Sequence, residues 1–324
     1  MLQLMMFREM PLEEISCEDE TLRISEELDC VLIQDSLRRI GQMNPVVLLD
    51  QQQKMLLVCG FRRVRALQRV AIPRVFARIL PMEEWNLARA FEYALWDNLS
   101  HRQLNPLEKA RSLYKLREIC GVDDESLVAT YLPALGLSPN SSVLASYLSL
   151  NAIHADLRRC LLEGRLTLSS LESLVGQPVP IQEYIASLMN RIRLSASLQK
   201  KVLGLLGDLA SMKETSLDAP LKEPQLLAML EDAGLSPFQK GEKVHGFLYR
   251  LLNPRLSRAT DRFQAQKKLL DLPGSIQIDA HPFFEEPGVH VEFSAPDPER
   301  FRRLAASLYE ASQSPELDRL FQVD

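Results

Sequence analysis

Guanidinium groups crowd one short stretch of this chain. An apolar run, Leu56–Cys59, ends at Gly60, and Arg62, Arg63 and Arg65 follow at once. The pattern predicts a strand, a glycine pivot and a helix start. Free backbone N–H groups and the positive dipole end of a helix N-terminus favour an anion, and arginine adds planar, paired donors suited to phosphate oxygens. A surface helix whose arginines are merely solvated is the plainer reading of the same residues. A second constellation lies further on. Trp85, Ala88, Phe91, Leu95 and Asn98 recur at three- and four-residue spacing and predict one helical stripe. Asn98 is polar on an apolar face and requires a partner. With Asp97 beside it, the pair could bind a ligand or simply cap its own helix end.

The elements that would hold these groups alternate near the N-terminus and are helical beyond it. Leu12–Ile15 and Leu22–Ile24 read as short entry elements, and Asp29–Ile40 as a helix stopped by Gly41. Val46–Leu49 and Met55–Cys59 read as a hairpin about Asp50–Lys54, with helix 61–70 next and strand Val75–Leu80 after Pro73. Asn105, Pro106 and Glu108 form a strong helix start, for a helix reaching about Ile119. Asp123–Leu132 and Pro139–Leu150 read as two short helices about a proline-bearing turn, a helix-turn-helix pattern. In the second, Asn140, Ser141, Ser142 and Ser146 are candidates to touch phosphates or base edges. No Lys or Arg lies between Arg117 and Arg158, so an ordinary helical hairpin fits equally well.

Two more short helices follow over 151–175, with Thr167 or Ser169 as a cap, and Pro178 and Pro180 look like a domain boundary. Residues 182–212 and 224–233 read as leucine-rich helices separated by a mobile linker, Lys213–Pro224. Val244–Leu252 and Arg258–Leu270 are amphipathic helices in the most basic part of the chain (Lys240, Lys243, Arg250, Arg255, Arg258, Arg262, Lys267 and Lys268). That face is either solvated or a surface for DNA backbone or a partner. The tail alternates over Ile276–Ala280 and Val289–Phe293, then turns helical from Asp297, a β-β-α unit too small to stand alone. His281 and His290 flank it without a metal-ligand cluster.

The 324 residues carry a net charge of −5 with 46% hydrophobic and 25% charged residues. These values fit a soluble globular protein of two or three domains. A chain that coats nucleic acid by bulk charge should be basic, so any DNA contact must come from a local patch. Cys17, Cys30, Cys59, Cys120 and Cys160 are scattered and read as reduced, buried thiols. The apolar N-terminus is too short and too soon acidic for a signal peptide, and no run of about 18 apolar residues suggests a membrane span. A cytoplasmic protein is expected.

Three ordered stretches resemble the ParB-type partition proteins. Ile40-Gly41-Gln42-Met43-Asn44-Pro45-Val46 resembles the family's first box. Gly60-Phe61-Arg62-Arg63-Val64-Arg65-Ala66 is similar to its Gly-Glu-Arg-Arg-x-Arg-Ala box. Asp97-Asn98-Leu99, followed by Leu104-Asn105-Pro106-Leu107-Glu108-Lys109-Ala110, is similar to its Glu-Asn-Leu-Gln-Arg box and helix-opening run. Order and spacing agree across about residues 10–175. The resemblance implies an α+β chain in four parts. They are a small mixed α/β nucleotide-binding domain over 1–82 (a ParB/sulfiredoxin-like fold), a helical DNA-binding domain over 83–176, a helical region over 177–272, and a β-β-α dimerisation unit over 273–324. It further implies a homodimer, nucleoid-associated in the cytoplasm, that uses CTP and Mg²⁺ as a switch on DNA. Slow CTP hydrolysis and a Walker-type partition ATPase as partner belong to the same expectation, in chromosome or plasmid partition or related regulation.

Carried over by motif, Gly41, Gln42 and Pro45 would border the nucleotide and Gly60, Arg62, Arg63 and Arg65 would surround the triphosphate. Asn98 would also touch the nucleotide, and Asp97 with Asn98 would hold Mg²⁺, a hard ion suited to oxygen ligands. The sequence departs from the family at several points. Phe61 stands for the usual Glu, Asp97 for Glu, Ser100 for Gln and His101 for Arg, with Arg102 one place late; Ser141 stands where an arginine is common. These departures favour nucleotide binding over efficient hydrolysis, and altered over standard DNA recognition. The helical stretch 182–272 is not the family's usual lysine-rich linker. A ParB-fold small-molecule kinase, which also needs a triphosphate cradle, and a nucleotide-independent transcriptional regulator or scaffold are the alternatives. Catalytic residues are not assigned.

Overall fold

A computed structural model describes residues 6–26, 30–52, 54–281, 284 and 288–321. Asp29, expected to open the first helix, and most of the loop before Gly288 lie outside the described residues. The chain divides into two compact units, Met1–Ala186 and Ser187–Asp324.

The first unit is built on a five-stranded sheet ordered β1-β5-β3-β4-β2. Its strands are β1 (Met6–Pro11), β2 (Ile15–Ser16), β3 (Val46–Asp50), β4 (Met55–Cys59) and β5 (Arg74–Pro81). The β3–β4 pair is the expected antiparallel hairpin, and β5 returns parallel to β3. Strand β1, which hydrophobic alternation did not reveal, pairs antiparallel with β5 along the edge. Leu12–Glu14 is a single 3₁₀ turn between β1 and β2. Helices α1 (Val31–Ile40) and α2 (Phe61–Arg69) cover one sheet face, where Leu37, Phe61, Val64 and Leu67 meet Val46, Leu48, Leu57 and Ala77 in one core. Burying such side chains is worth about 1.5–3 kcal/mol each.

Helix α3 (Leu87–His101) packs on β4 and on α4 (Pro106–Glu118). Phe91 and Leu95, from the expected stripe, are fully buried there. Asn105 and Glu108 close a capping box at the start of α4, satisfying two otherwise orphan N–H groups. Beyond α4, α5 (Asp124–Ser126), a π-helical turn (Leu127–Tyr131) and α6 (Leu132–Ala134) run together, so Pro133 sits within the helical segment and not in the turn after it. Then come α7 (Ser141–Ser149), α8 (Ala155–Leu162), α9 (Leu168–Glu172) and α10 (Val179–Arg191). Pro180 falls in the first turn of α10, where its missing N–H costs nothing, so the two prolines start a helix where an interruption was expected.

The second unit contains α11 (Ala196–Met212), α12 (Pro224–Glu231), α13 (Pro237–Leu252) and α14 (Pro254–Leu269), with β6 (Ile276–Ala280), β7 (Val289–Phe293), α15 (Pro298–Ser312) and α16 (Pro315–Phe321). The expected mobile linker at 213–224 is a packed connection. Pro220 and Leu221 are buried in a short 3₁₀ turn, and the buried Asp218 pairs with Lys222 at 2.6 Å. Its polar composition hid two apolar anchors. The β6–β7 hairpin and α15 form the expected β-β-α unit. It shares a core with α14 and α16, through Phe263, Leu270, Ile276, Ile278, Leu304 and Leu320. The five cysteines are free thiols, but Cys17 and Cys120 are only half-buried, contrary to expectation. The α+β layout read from the sequence holds.

Candidate functional site

The first unit encloses a cavity of about 520 Å³ on the sheet face opposite α1 and α2, walled by α3. Its floor is one rung of the sheet. Phe7 on β1 is registered with Arg78 on β5, Arg78 with Val47 on β3, and Val47 with Cys59 on β4; all four line the cavity. Three strand spacings of about 4.8 Å make the rung about 14 Å long. One end is the aromatic Phe7, stacked on Phe76 at 5.7 Å. The other is the β4–α2 junction, where the β3–β4 register shifts by a bulge, a device that re-aims a strand beside a site.

Gly60 makes that junction. Its φ of +104° is left-handed, and a Cβ there would meet Val46 Cγ1 at 2.8 Å, so only glycine lets the chain turn from strand to helix at this point. The turn delivers Arg62 and Arg63, in the first turn of α2, to the cavity wall. Arg63 Nη1 donates to the Pro45 carbonyl at 2.8 Å. Burial lowers the Arg63 pKa while Asp97 opposes the shift, and the group stays charged.

Asp97, Asn98, His101 and Arg102 reach the cavity from the end of α3, with Tyr93 one turn earlier. The partner that Asn98 required is local. Its Nδ2 donates to the Ala94 carbonyl at 2.8 Å and its Oδ1 accepts from Arg102 Nε at 3.0 Å. Asp97 is the better placed oxygen donor, at 40% side-chain exposure with His101 Nδ1 at 3.8 Å. Across the floor, burial pushes the Cys59 thiol well up, and the Asp97 carboxylate raises it further by charge and by accepting its hydrogen bond, against Arg63 and Arg78. Cys59 is thus a protonated thiol, not a nucleophile. Burial also raises the Tyr93 phenol, whose oxygen accepts from Arg78 at 3.1 Å.

Of the residues singled out from sequence, Pro45, Gly60, Arg62, Arg63, Asp97 and Asn98 line one cavity, and Gly41, Gln42 and Arg65 do not. Arg65 is a correction: it lies a turn beyond Arg62 on α2 and is exposed. Gly41, at φ +72°, terminates α1. The Gln42 side chain clasps the backbone of Phe76, donating to its carbonyl at 2.7 Å and accepting from its N–H at 2.8 Å. These two residues position the Asn44–Pro45 edge of the cavity without lining it. Phe7, Ser25, Cys59, Arg78, Tyr93 and Arg102 were missed as cavity residues. Arg78 carried a signal, as a lone charge inside the apolar run Val75–Leu80.

Among the described residues no group of three or more His, Cys, Asp or Glu could hold a metal alone. One carboxylate and one amide oxygen, with phosphate oxygens and water completing the shell, is a donor set that suits Mg²⁺. Asn98 is the weaker of the two because Arg102 already uses its oxygen.

The candidate DNA-reading helix α7 is capped by Asn140, whose Oδ1 accepts from Ser142 N at 2.7 Å and from Ser142 Oγ at 2.9 Å. Asn140, Ser141 and Ser142 are exposed. Ser146 is half-buried and donates to Glu172 on α9, which turns it away from the role expected of it. Leu144 and Tyr147 are buried, and α7 packs on α4. Its cation comes from another element. Lys109 on α4 brings Nζ to the turn before α7, 4.0 Å from where a Cβ on Gly136 would sit.

No protein-family model matches the chain. It is 25% identical over 201 residues to the chromosome-partitioning protein ParB of Myxococcus xanthus, covering 62% of this chain and 64% of the relative. It is 27% identical over 150 residues to the probable chromosome-partitioning protein ParB of Helicobacter pylori, covering 46% of this chain and 49% of the relative. The matches therefore span from about half to just under two thirds of these relatives. A solved structure, the C-terminally truncated ParB of Caulobacter crescentus complexed with CTP-gamma-S, is 25% identical over 56% of this chain and 98% of its own. Its TM-score is 0.25, below the level at which two backbones share a fold. Among the described residues no helix is long and apolar enough to cross a membrane.

Proposed function

We propose that this chain, related in sequence to ParB-type partition proteins, is a DNA-binding partition protein switched by CTP and Mg²⁺. The observation that carries the reading is the meeting of Gly60, Arg62 and Arg63 with Asp97 and Asn98 around one cavity. The α2 N-terminus and its two arginines bind the triphosphate, and Asp97 with Asn98 holds Mg²⁺, which neutralises and orients phosphate oxygens when bound. The floor extends about 14 Å from that cradle to Phe7, leaving room for the nucleoside. Asn140, Ser141 and Ser142 at the start of α7, with Lys109 behind them, contact DNA.

The finer division into 1–82, 83–176, 177–272 and 273–324, the homodimer through the β-β-α unit and a Walker-type ATPase partner belong to the same proposal. So do a nucleoid-associated cytoplasmic location and slow hydrolysis at most. Titration of the full chain with CTP and Mg²⁺ in a calorimeter tests the reading. Micromolar or tighter binding is expected, with a loss of about 100-fold in Arg63→Ala, the scale of about two charge-assisted hydrogen bonds. Absence of heat with every nucleoside triphosphate would sink the nucleotide switch.

A further inference from the structure

The cavity floor carries a cation that the phosphate cradle leaves over. Arg78 is the lone charge in the stretch Val75–Leu80 of β5, and it is half-buried. On the rung it stands between Phe7 and Val47. Two strand spacings separate it from the Cys59 end, a distance of about 10 Å. Arg62 and Arg63 stand at that junction end, whereas Arg78 lies in the half of the floor that runs to Phe7. The ribose separates a base from its triphosphate, so phosphates held at the α2 N-terminus direct the base over this far half.

A guanidinium on a sheet floor gives up water and needs partners in return. Arg78 Nη1 donates to the Tyr93 oxygen at 3.1 Å, and the guanidinium carbon lies 5.4 Å from the centre of the Tyr93 ring. Trp85 packs edge-on against that ring, with centres 5.7 Å apart at 88°, so the tyrosine is held in turn. Among the described residues Arg78 makes no further hydrogen bond and no ion pair. Arg102, in the same cavity, is spent: its Nε, Nη1 and Nη2 donate to Asn98, Glu108 and Ser25. On Arg78 there remain Nε and Nη2, the neighbouring pair whose N–H bonds run parallel. Such a pair fits two adjacent acceptors. Cytosine presents O2 and N3 side by side, and guanine presents O6 and N7. Uracil carries a hydrogen on N3, and adenine sets its amino group beside N1 and N7, so each turns a donor toward a guanidinium donor.

We propose that Arg78 is a specificity-determining residue of the cavity, whose Nε and Nη2 donate to O2 and N3 of a cytosine base lying beside Phe7. The assignment rests on the reading of the cavity as a CTP site, and it adds to that reading the side chain that tells cytosine from uracil.

The test is calorimetric titration of the full-length chain with CTP, UTP and 3-deaza-CTP, in which a C–H replaces N3, each with Mg²⁺. The parent is expected to bind CTP at least about tenfold more tightly than either of the others, the scale of one paired base contact. Arg78→Lys keeps the charge and loses the fork, and should bring the three ligands within about threefold of one another, chiefly by weakening CTP. The comparison of CTP with 3-deaza-CTP on the parent needs no substitution, so a fold damaged at Arg78 cannot mask its answer. A parent that binds CTP no better than UTP or 3-deaza-CTP overturns the proposal and leaves the nucleotide reading standing. So does a lysine variant that weakens all three ligands by one factor, which would put Arg78 on the phosphates, or one that keeps the parent's affinities. Absence of heat with every triphosphate would sink the nucleotide reading itself and this assignment with it.

Discussion

Two clusters of arginine and carboxylate lie in the first unit, and they differ in what they leave over. In one, Arg158 Nη2 donates to Glu26 Oε2 at 2.9 Å and Arg111 donates to the same oxygen. The Glu26 N–H donates to the buried Glu108, which also accepts from Arg102 at 2.7 Å. Arg111 and Lys115 reach the backbone carbonyls of the 20–25 segment. Most of the strong donors and acceptors there are matched to one another, and the result is a strut that ties the 20–26 segment to α4 and α8. In the other cluster Arg63 has one nitrogen on the Pro45 carbonyl and shares a cavity with Asp97. The same residue types make a brace where they saturate one another and a ligand site where a space separates them.

The sharpest break of that comparison is Glu26→Ala. It leaves Arg111 and Arg158, at 16% and 20% side-chain exposure, without their shared carboxylate. Removing one member of a buried ionic group costs about 3–5 kcal/mol, and the partial exposure here puts the expectation near about 3 kcal/mol. Urea unfolding followed by circular dichroism measures it. A variant as stable as the parent would mean that the cluster is not a strut.

The glycines of the cavity edge sharpen the same contrast. Gly60→Ala must fit a Cβ 2.8 Å from Val46 Cγ1 at a φ of +104°, and about 2 kcal/mol of destabilisation is expected from strain and overlap together. Gly41→Ala meets nothing within 4 Å, so its cost of about 1–3 kcal/mol is backbone strain alone, at φ +72° and ψ −167°, a region nearly reserved for glycine. A Gly60→Ala loss below about 1 kcal/mol in matched urea curves would show that the β4–α2 junction relaxes freely, and would remove the case for a preformed phosphate cradle.

What the sequence disclosed follows from the range of the forces involved. Gly60, the α4 capping box and the hairpin about Asp50–Lys54 are local events, set by residues within a few positions, and they were legible. The pairing of Gly60–Arg63 with Asp97–Asn98 came from the resemblance to the ParB family's boxes, since the stripe of Phe91 and Leu95 shows only which face of α3 is buried. Phe7 and Arg78 were not legible as floor residues. Their neighbourhood is created by the β1–β5 pairing, about 70 residues apart in sequence, which no local period encodes. Glu26 gave no sign of its two arginines for the same reason. Arg65 was misjudged because a run of arginines does not say which of them lie on the turn nearest the anion. At 213–224 polar composition concealed Pro220 and Leu221, since two buried apolar side chains are enough to fix a short turn.

A titration within the strut tests the same contrast through pH. Burial pushes the Lys115 ammonium down to about 8, with Arg111 adding to the shift and Glu20 opposing it. In the unfolded chain the group titrates near about 10.4. Below the folded value both states carry the proton, and the folded state bears the full penalty of a buried cation. Between the two values the unfolded chain still binds a proton that the folded chain has released, so this group's contribution to stability rises with pH across that window. Lys115→Met removes the titration together with the hydrogen bond to the Arg23 carbonyl. Its stability should therefore rise less with pH than the parent's between about pH 8 and about pH 10, read from urea midpoints at several values in that range. Parallel pH profiles would place the lysine in water and detach it from the brace. A steeper rise in the parent confined to this window would mark the strut as a desolvated cluster, held closed by pairing where the cavity is held open.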